Sequence, residues 1–251
     1  MKNLPIGTLI NVVTVVVGST VGLLLQQIFT EEIEKIVFQA IGLGTIIIGL
    51  KMSLRLPDGY MLVLIFSLIL GGILGELINL DDWMYGLSED LKNSLGLTES
   101  RFSEGLITAF LLFCIGSMTI VGAIEEGLNQ NRELLVVKST LDGFSSIALT
   151  ASFGIGVMFS VIPLLIFQGG MTLGSKMLAR VFDQTTIDVL SSVGGILIIG
   201  ISINILGLGK INLENLLPSL VLCVIITKIN QQWFIKKAEQ EIDLISNKEA
   251  G

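Results

Sequence analysis

Residues 143–175 read GFSSIALTASFGIGVMFSVIPLLIFQGGMTLGS, from Gly143 to Ser175, with no Asp, Glu, Lys or Arg among them. As one straight helix the stretch would be about 50 Å long, against a hydrocarbon core of about 30 Å. It is too long for a single crossing and too apolar for the core of a soluble domain of this size. It predicts two membrane crossings joined by a bend. The bend belongs near Gly154, Gly156 and Pro163, because Gly and Pro weaken a helix. The rest of the chain is read as packing around this hairpin.

Composition agrees. The chain has 251 residues, of which 51% are apolar and only 15% charged, and its mean hydropathy is +0.82. Soluble domains carry about 25% charged residues. The expected class is all-α: a polytopic helix bundle of about eight crossings. One transmembrane domain would occupy 1–232, followed by a charged cytoplasmic tail, 233–251. The net charge of −7 is dispersed, and 15 Lys and Arg leave no nucleic-acid footprint. There is no histidine, which excludes Ser-His-Asp and Cys-His catalysis and His-based zinc sites. Cys114 and Cys223 lie in apolar segments and read as small buried residues. Lys2 and the run from Ile6 to Leu25 imitate a signal peptide. The run is too long for one and no A-x-A site follows, so it is read as a retained first span.

Taken in order, the spans are expected at 6–26, 36–54, 60–79, 105–124, 139–157, 161–179, 187–206 and 213–229. Pro57-Asp58-Gly59 is a turn. Asp82 to Leu97 places Trp83, Leu87, Leu91 and Leu95 four apart, the pattern of a short amphipathic helix on the membrane surface. A polar hairpin is expected at 128–138. With the N-terminus in the cytoplasm, Lys2, Lys51, Arg55, Arg132, Lys138, Lys176, Arg180, Lys228, Lys236, Lys237 and Lys248 fall inside. Only Lys35, Lys92, Arg101 and Lys210 fall outside. The positive-inside rule favours this orientation, with both termini cytoplasmic. A seven-span alternative would put the later basic residues outside.

An internal similarity links the halves. Gly18, Thr20 and Gly22 match Gly170, Thr172 and Gly174, while Gly44 and Gly49 match Gly195 and Gly200. If genuine, it relates 6–79 to 160–230 as an inverted repeat, a plan shared by many secondary transporters. Chance likeness among Gly- and Ile-rich helices competes with it. Gly18, Gly22, Gly170 and Gly174 are also candidate helix-packing positions, since G-x-x-x-G permits close approach.

The polar residues each carry two readings. Asp142 opens the charge-free stretch, and an acid inside a membrane is a functional candidate. Alternatively, Ser139-x-x-Asp142 is a capping box at a helix start, with Lys138 neutralising the acid. Ser146 and Thr150 share a face with Asp142, and Ser145 lies beside them. This lane would face a solute or bond back to its own helix. Asn11, Gln39, Gln168 and Asn204 are the buried-amide candidates. Glu125 and Glu126 form either a solvated interfacial cluster, paired with Arg132 or Lys138, or the mouth of a solute path. No Walker loop, G-x-S-x-G or metal-ligand spacing occurs, so neither an enzyme, a cofactor nor a metal is expected.

The segments GTLIN (Gly7 to Asn11), FCIGSMTIVGAIEEGL (Phe113 to Leu128), KSTLDGFSSIA (Lys138 to Ala148), GIGVMFSVIPLLIFQGG (Gly154 to Gly170) and VGGILIIGISINILG (Val193 to Gly207) carry a resemblance. Together they resemble the bacterial membrane-protein family known as domain of unknown function 554, the YqgA/YdfK-like proteins. The resemblance implies polytopic inner-membrane proteins, labelled as transporters with no established substrate. It brings no catalytic residues. Two functions are therefore expected to compete. One is a carrier or channel for a small solute or ion. The other is a scaffold whose Gly-rich faces bind partner helices or a second copy. In both the chief partner is the lipid bilayer, and no nucleic acid is involved.

Overall fold

The structure is a computed structural model and describes residues 4–26, 30–98 and 101–232. The expected tail, 233–251, lies outside these residues. Among the described residues there is no strand. In chain order the helices are α1 (Ile6–Gln26), α2 (Glu31–Ser53), α3 (Met61–Leu77), α4 (Leu80–Ser94), α5 (Phe102–Cys114), α6 (Ser117–Asn129), α7 (Glu133–Phe153), α8 (Gly156–Phe159), α9 (Val161–Leu173), α10 (Ser175–Val181) and α11 (Gln184–Ile205). A further helix, α12, covers 218–232.

Five stretches are long and apolar enough to cross a bilayer: α1, α2 from Lys35, α7, α8 with α9, and α11. The pairs α3–α4 and α5–α6 also qualify, but they bend by 62° and 59°, so the count is five to seven among the described residues rather than eight. The eighth expected span corresponds to α12, which begins only at 218, with Pro218 in its first turn. Large apolar side chains face outward along whole helices. Val13, Val17, Val21 and Leu24 do so on α1, and Val221, Ile225 and Ile229 on α12. Apolar stripes of this extent need an apolar solvent.

Local chemistry explains the boundaries. Thr30 caps α2 by accepting from the Ile33 N–H, and Asp183 caps α11 by accepting from the Thr186 N–H at 2.8 Å. The Tyr60 N–H closes the Pro57-Asp58-Gly59 turn on the Pro57 carbonyl, with Gly59 at φ 83°. The central hairpin bends at Gly154, whose φ 77° and ψ −161° lie in a region open essentially to glycine alone. Pro163 sits in the first turns of α9, where its missing N–H does little harm. The amphipathic helix expected at 82–97 is α4, Leu80–Ser94.

Three expectations are corrected. Span four is not one helix: it breaks at Ile115 and Gly116, between α5 and α6. The hairpin 128–138 shrinks to residues 130–132, since α6 runs on to Asn129 and α7 already begins at Glu133. Ser139 and Asp142 are not a capping box: Asp142 is the tenth of the 21 residues of α7, and the Ser139 hydroxyl donates back to the Leu135 carbonyl.

Glycine sets the packing. On α1, a Cβ at Gly22 would lie 2.5 Å from the Ile147 carbonyl oxygen, and one at Gly18 would overlap the Gly143 carbonyl. Helices α1 and α7 therefore touch backbone to backbone, and they run parallel: Asn11 meets Asp142, Gly18 meets Gly143 and Gly22 meets Ile147. Helices α2 and α11 run antiparallel, with Gly42 on Leu206 and Gly49 on Gly195. Gly170 departs from its expected packing role. It is exposed, with nothing within 4 Å of its Cβ position; the close approach to α9 is made on its other face, where Gly127 meets Thr172 and Ser175. Gly174 lies in the break between α9 and α10.

Candidate functional site

The interior holds a small polar centre. Asp142 on α7 pairs with Lys138 one turn earlier, and both are buried. Asn11 on α1 donates from Nδ2 to Asp142 Oδ2 at 2.8 Å and to Gln168 Oε1 on α9 at 3.1 Å. Asn11 and Gln168 are both 0% exposed. The carboxylate dictates the order of these bonds. It accepts only, so Asn11 must present its amide nitrogen, and Gln168 must then present its oxygen. Asn11 Oδ1 and Gln168 Nε2 are left buried without a hydrogen-bond partner, as is the Thr150 hydroxyl. Such groups normally find partners, because leaving one unmade costs about 1–3 kcal/mol.

The break between α5 and α6 lies beside this centre. Gly122 of α6 packs on Leu135 of α7, 2.7 Å from its Cβ position. The two helices are joined by a tight connection and run in opposite directions. Moving from Leu135 to Asp142 along α7 corresponds to moving from Gly122 back to Ile115 along α6, which is the break. Cys114, at the end of α5, is fully buried and belongs to the same apolar cluster as Leu149 of α7. The break is held by its own bonds: the Gly116 carbonyl accepts from the Thr119 and Ile120 N–H groups, and the Phe113 carbonyl accepts from the Thr119 hydroxyl.

Layers close the centre on both sides. Toward the Arg132 end, Leu135 is fully buried against Gly7 and Gly122. Beyond it, Glu126 Oε1 accepts from the Gly7 N–H at 2.8 Å and from Arg132 Nε at 3.0 Å, so Glu126 caps the start of α1. Toward the other end, Leu111, Phe113, Leu149 and Phe153 form an apolar plug. Phe38 packs edge-on against Phe153 at 5.1 Å, with Arg101 over its ring. Outside the plug lies a 580 Å³ cavity lined by Asp81, Asp82, Tyr85, Ser103, Glu104, Ile107, Asn204 and the 209–214 loop.

The candidate residues therefore divide. Asn11, Asp142 and Gln168 come together. Ser146 and Thr150 lie further along the same buried face of α7, with the Ser146 hydroxyl donating to the Gly143 carbonyl, and Ser145 is partly exposed. Gln39 does not belong: it is exposed on α2. Asn204 is not at the centre either. It bonds the Ile211 backbone through both its oxygen and its nitrogen and so shapes the outer cavity. Glu125 lies at the rim, where it accepts from Asn131. Lys138, counted above as a loop charge, is a buried member of the centre, and its spacing of four from Asp142 was the available signal. The cavity had no sequence signal, since its lining comes from α4, α5, α11 and the loop that follows.

An all-α bundle with lipid-facing apolar stripes and a buried polar centre is a membrane protein. The chain belongs to the family described as Protein of unknown function (DUF554), which it matches over residues 6–228. It is 35% identical over 218 residues to the Uncharacterized membrane protein YdfK of Bacillus subtilis (strain 168), covering 86% of this chain and 93% of that one. It is 26% identical over 234 residues to the Uncharacterized protein YqgA of Escherichia coli (strain K12), covering 91% and 99%. No solved structure matches the chain.

Proposed function

We propose that this protein is a transporter of a small solute or ion in the bacterial plasma membrane, not an enzyme, and that the polar centre on α7 is its binding site. One observation carries the reading. An ion pair is buried halfway along a membrane-spanning helix, and it holds two carboxamides whose remaining hydrogen bonds are unmade. Ionisable groups at that depth are expensive and typically mark a solute or ion pathway. The layers on either side describe an occluded state, closed by Leu135 toward one surface and by the Leu111–Phe153 plug toward the other.

Further support comes from the helix pairing. Under an inverted repeat α1, α2 and α3 correspond to α9, α11 and α12. Each packs antiparallel on its counterpart, through Asn11 on Gln168, Gly49 on Gly195 and Gly71 on Ser219. The excess of basic residues at the Arg132 end supports a cytoplasmic location for that end and for both termini. The competing scaffold reading needs free small-residue faces, yet Gly18, Gly22, Gly49 and Gly195 are used inside the chain.

The test is water access. In a variant lacking Cys114 and Cys223, single cysteines are placed at Asn11, Ser146, Thr150 and Gln168 and challenged with a membrane-impermeant thiol reagent from each side. Labelling from both sides is expected of a transport site. A folded protein labelled from neither side would be a dry bundle, and the scaffold reading would replace this one.

A further inference from the structure

Elsewhere in the bundle, buried hydroxyls turn back on their own helix: Ser67, Ser139 and Ser202 each donate to the carbonyl four residues earlier. A row of buried polar groups along α1, α7 and the α8–α9 arm does not. The hydroxyls of Thr8 and Ser19 on α1, Thr150 on α7 and Ser160 between α8 and α9 have no hydrogen-bond partner, and each of these residues is 0% exposed. With Asn11 Oδ1, Gln168 Nε2 and the Ser152 hydroxyl, they make up seven of the eleven such atoms among the described residues. Polar groups at this depth normally have partners, so their concentration in one row points to partners that come from outside the fold.

The register of the helices orders the row. Helices α1 and α9 run antiparallel, with Asn11 on Gln168 and Thr8 beside Gly169. Eight residues further along α1 lies Ser19, and eight residues back along the other arm lies Ser160. Both are about 12 Å from the carboxamides. Between the two levels are Val15 and Leu164, both fully buried in one apolar cluster. Thr150 joins the Ser19 level, because it packs on Gly22, the next turn of α1. The row is thus two polar levels separated by one apolar rung.

The chemistry of the row is uncharged. Helix α1 and residues 143–175 contain no Asp, Glu, Lys or Arg. The ion pair that the row touches is already matched, since Lys138 meets Asp142. That pair acts on the carboxamides by fixing their orientation. Asn11 turns its nitrogen to Asp142 and Gln168, so its oxygen remains an acceptor, and Gln168 keeps its nitrogen as a donor. A solute that answers both presents a donor and an acceptor and brings no charge. An ion at either level would be a buried charge with no opposite charge to meet it.

We propose that this row is a path for small uncharged solutes of the urea and carboxamide kind, and that Asn11 and Gln168 are its specificity residues. This rests on the transport reading above. A solute N–H supplies what Asn11 Oδ1 lacks, and a solute carbonyl oxygen supplies what Gln168 Nε2 lacks. No proton or charge moves in the step. A cation of the same shape offers donors only and leaves Gln168 Nε2 unanswered. An anion of that shape offers acceptors only and leaves Asn11 Oδ1 unanswered. A site built on such bonds rejects analogues that lack one of them.

The experiment uses the full chain in potassium-loaded proteoliposomes, with valinomycin present so that charge movement does not limit entry. The probes are isotopically labelled urea, guanidinium and nitrate, which are planar, alike in shape and different in charge. Urea is expected to enter faster than into protein-free vesicles, and about tenfold or more faster than either ion, the discrimination set by one unanswered buried hydrogen bond. Gln168→Met removes the donor and should bring urea down to the rate of the ions. Thr150→Val keeps the side-chain shape and removes only an unanswered hydroxyl. It is expected to melt no lower than the parent while slowing urea about twofold to tenfold. Urea entry equal to that of protein-free vesicles, an ion entering as fast as urea, or an unchanged rate in Thr150→Val overturns the proposal. If cysteines at the centre label from both sides in that case, the transport reading stands and only the uncharged path fails.

Discussion

Replacing Asp142 with Ala leaves the Lys138 ammonium buried without its partner. Breaking a buried pair from one side costs about 3–5 kcal/mol. The variant is therefore expected to lose about 3–5 kcal/mol, which for a chain of this size lowers the thermal midpoint by about 6–20 °C. Adding Lys138→Met to Asp142→Ala removes the stranded charge and should recover most of the loss. Intrinsic-fluorescence melts in mild detergent read both effects. A small loss, and no recovery in the double variant, would show that the pair is hydrated and refute the buried-centre argument.

Two other predictions use the same melts. Gly18→Ala forces a methyl onto the Gly143 carbonyl and should cost about 1–3 kcal/mol, whereas Gly170→Ala enters open space within a helix and should gain about 0.5–1 kcal/mol; equal effects would mean that α1 and α7 are not in backbone contact. Burial works against ionisation of Asp183, but its bond to Lys228, aided by Thr186 and Gln231, outweighs it and holds the carboxyl well below the usual carboxylate range. The stability it contributes is fully present above the ordinary carboxylate value and is lost only as the pH falls on through the depressed folded value, so Asp183→Asn should melt lower than the parent at pH 7, with the gap beginning to narrow below about pH 4; a gap that does not narrow at all between about pH 5 and about pH 3 would assign the effect to the helix cap alone.

The sequence by itself determined the solvent, the all-α class, the starts of α1, α3 and α9 to within a residue, and the bend at Gly154. These follow from local quantities: runs of apolar residues, their period, and the backbone freedom of glycine. It also picked out Asn11, Asp142 and Gln168 as polar residues in apolar surroundings. What it left open was decided by contacts between helices far apart in the chain. Asp142 reads equally as a cap or a core group until α7 is seen to begin at Glu133. That start follows the left-handed turn at Gln130, with Asn131 Oδ1 accepting from the Glu133 N–H. The kink at Ile115 and Gly116 lies inside an unbroken apolar run, so hydropathy could not reveal it. Gln39 and Gln168 look alike in sequence, and only packing left one exposed on α2 and put the other on Asn11. Burial and hydrogen-bond partners belong to the tertiary structure, because they depend on which helix faces meet, and on that point residues far apart in the chain carry no joint signal in a single sequence.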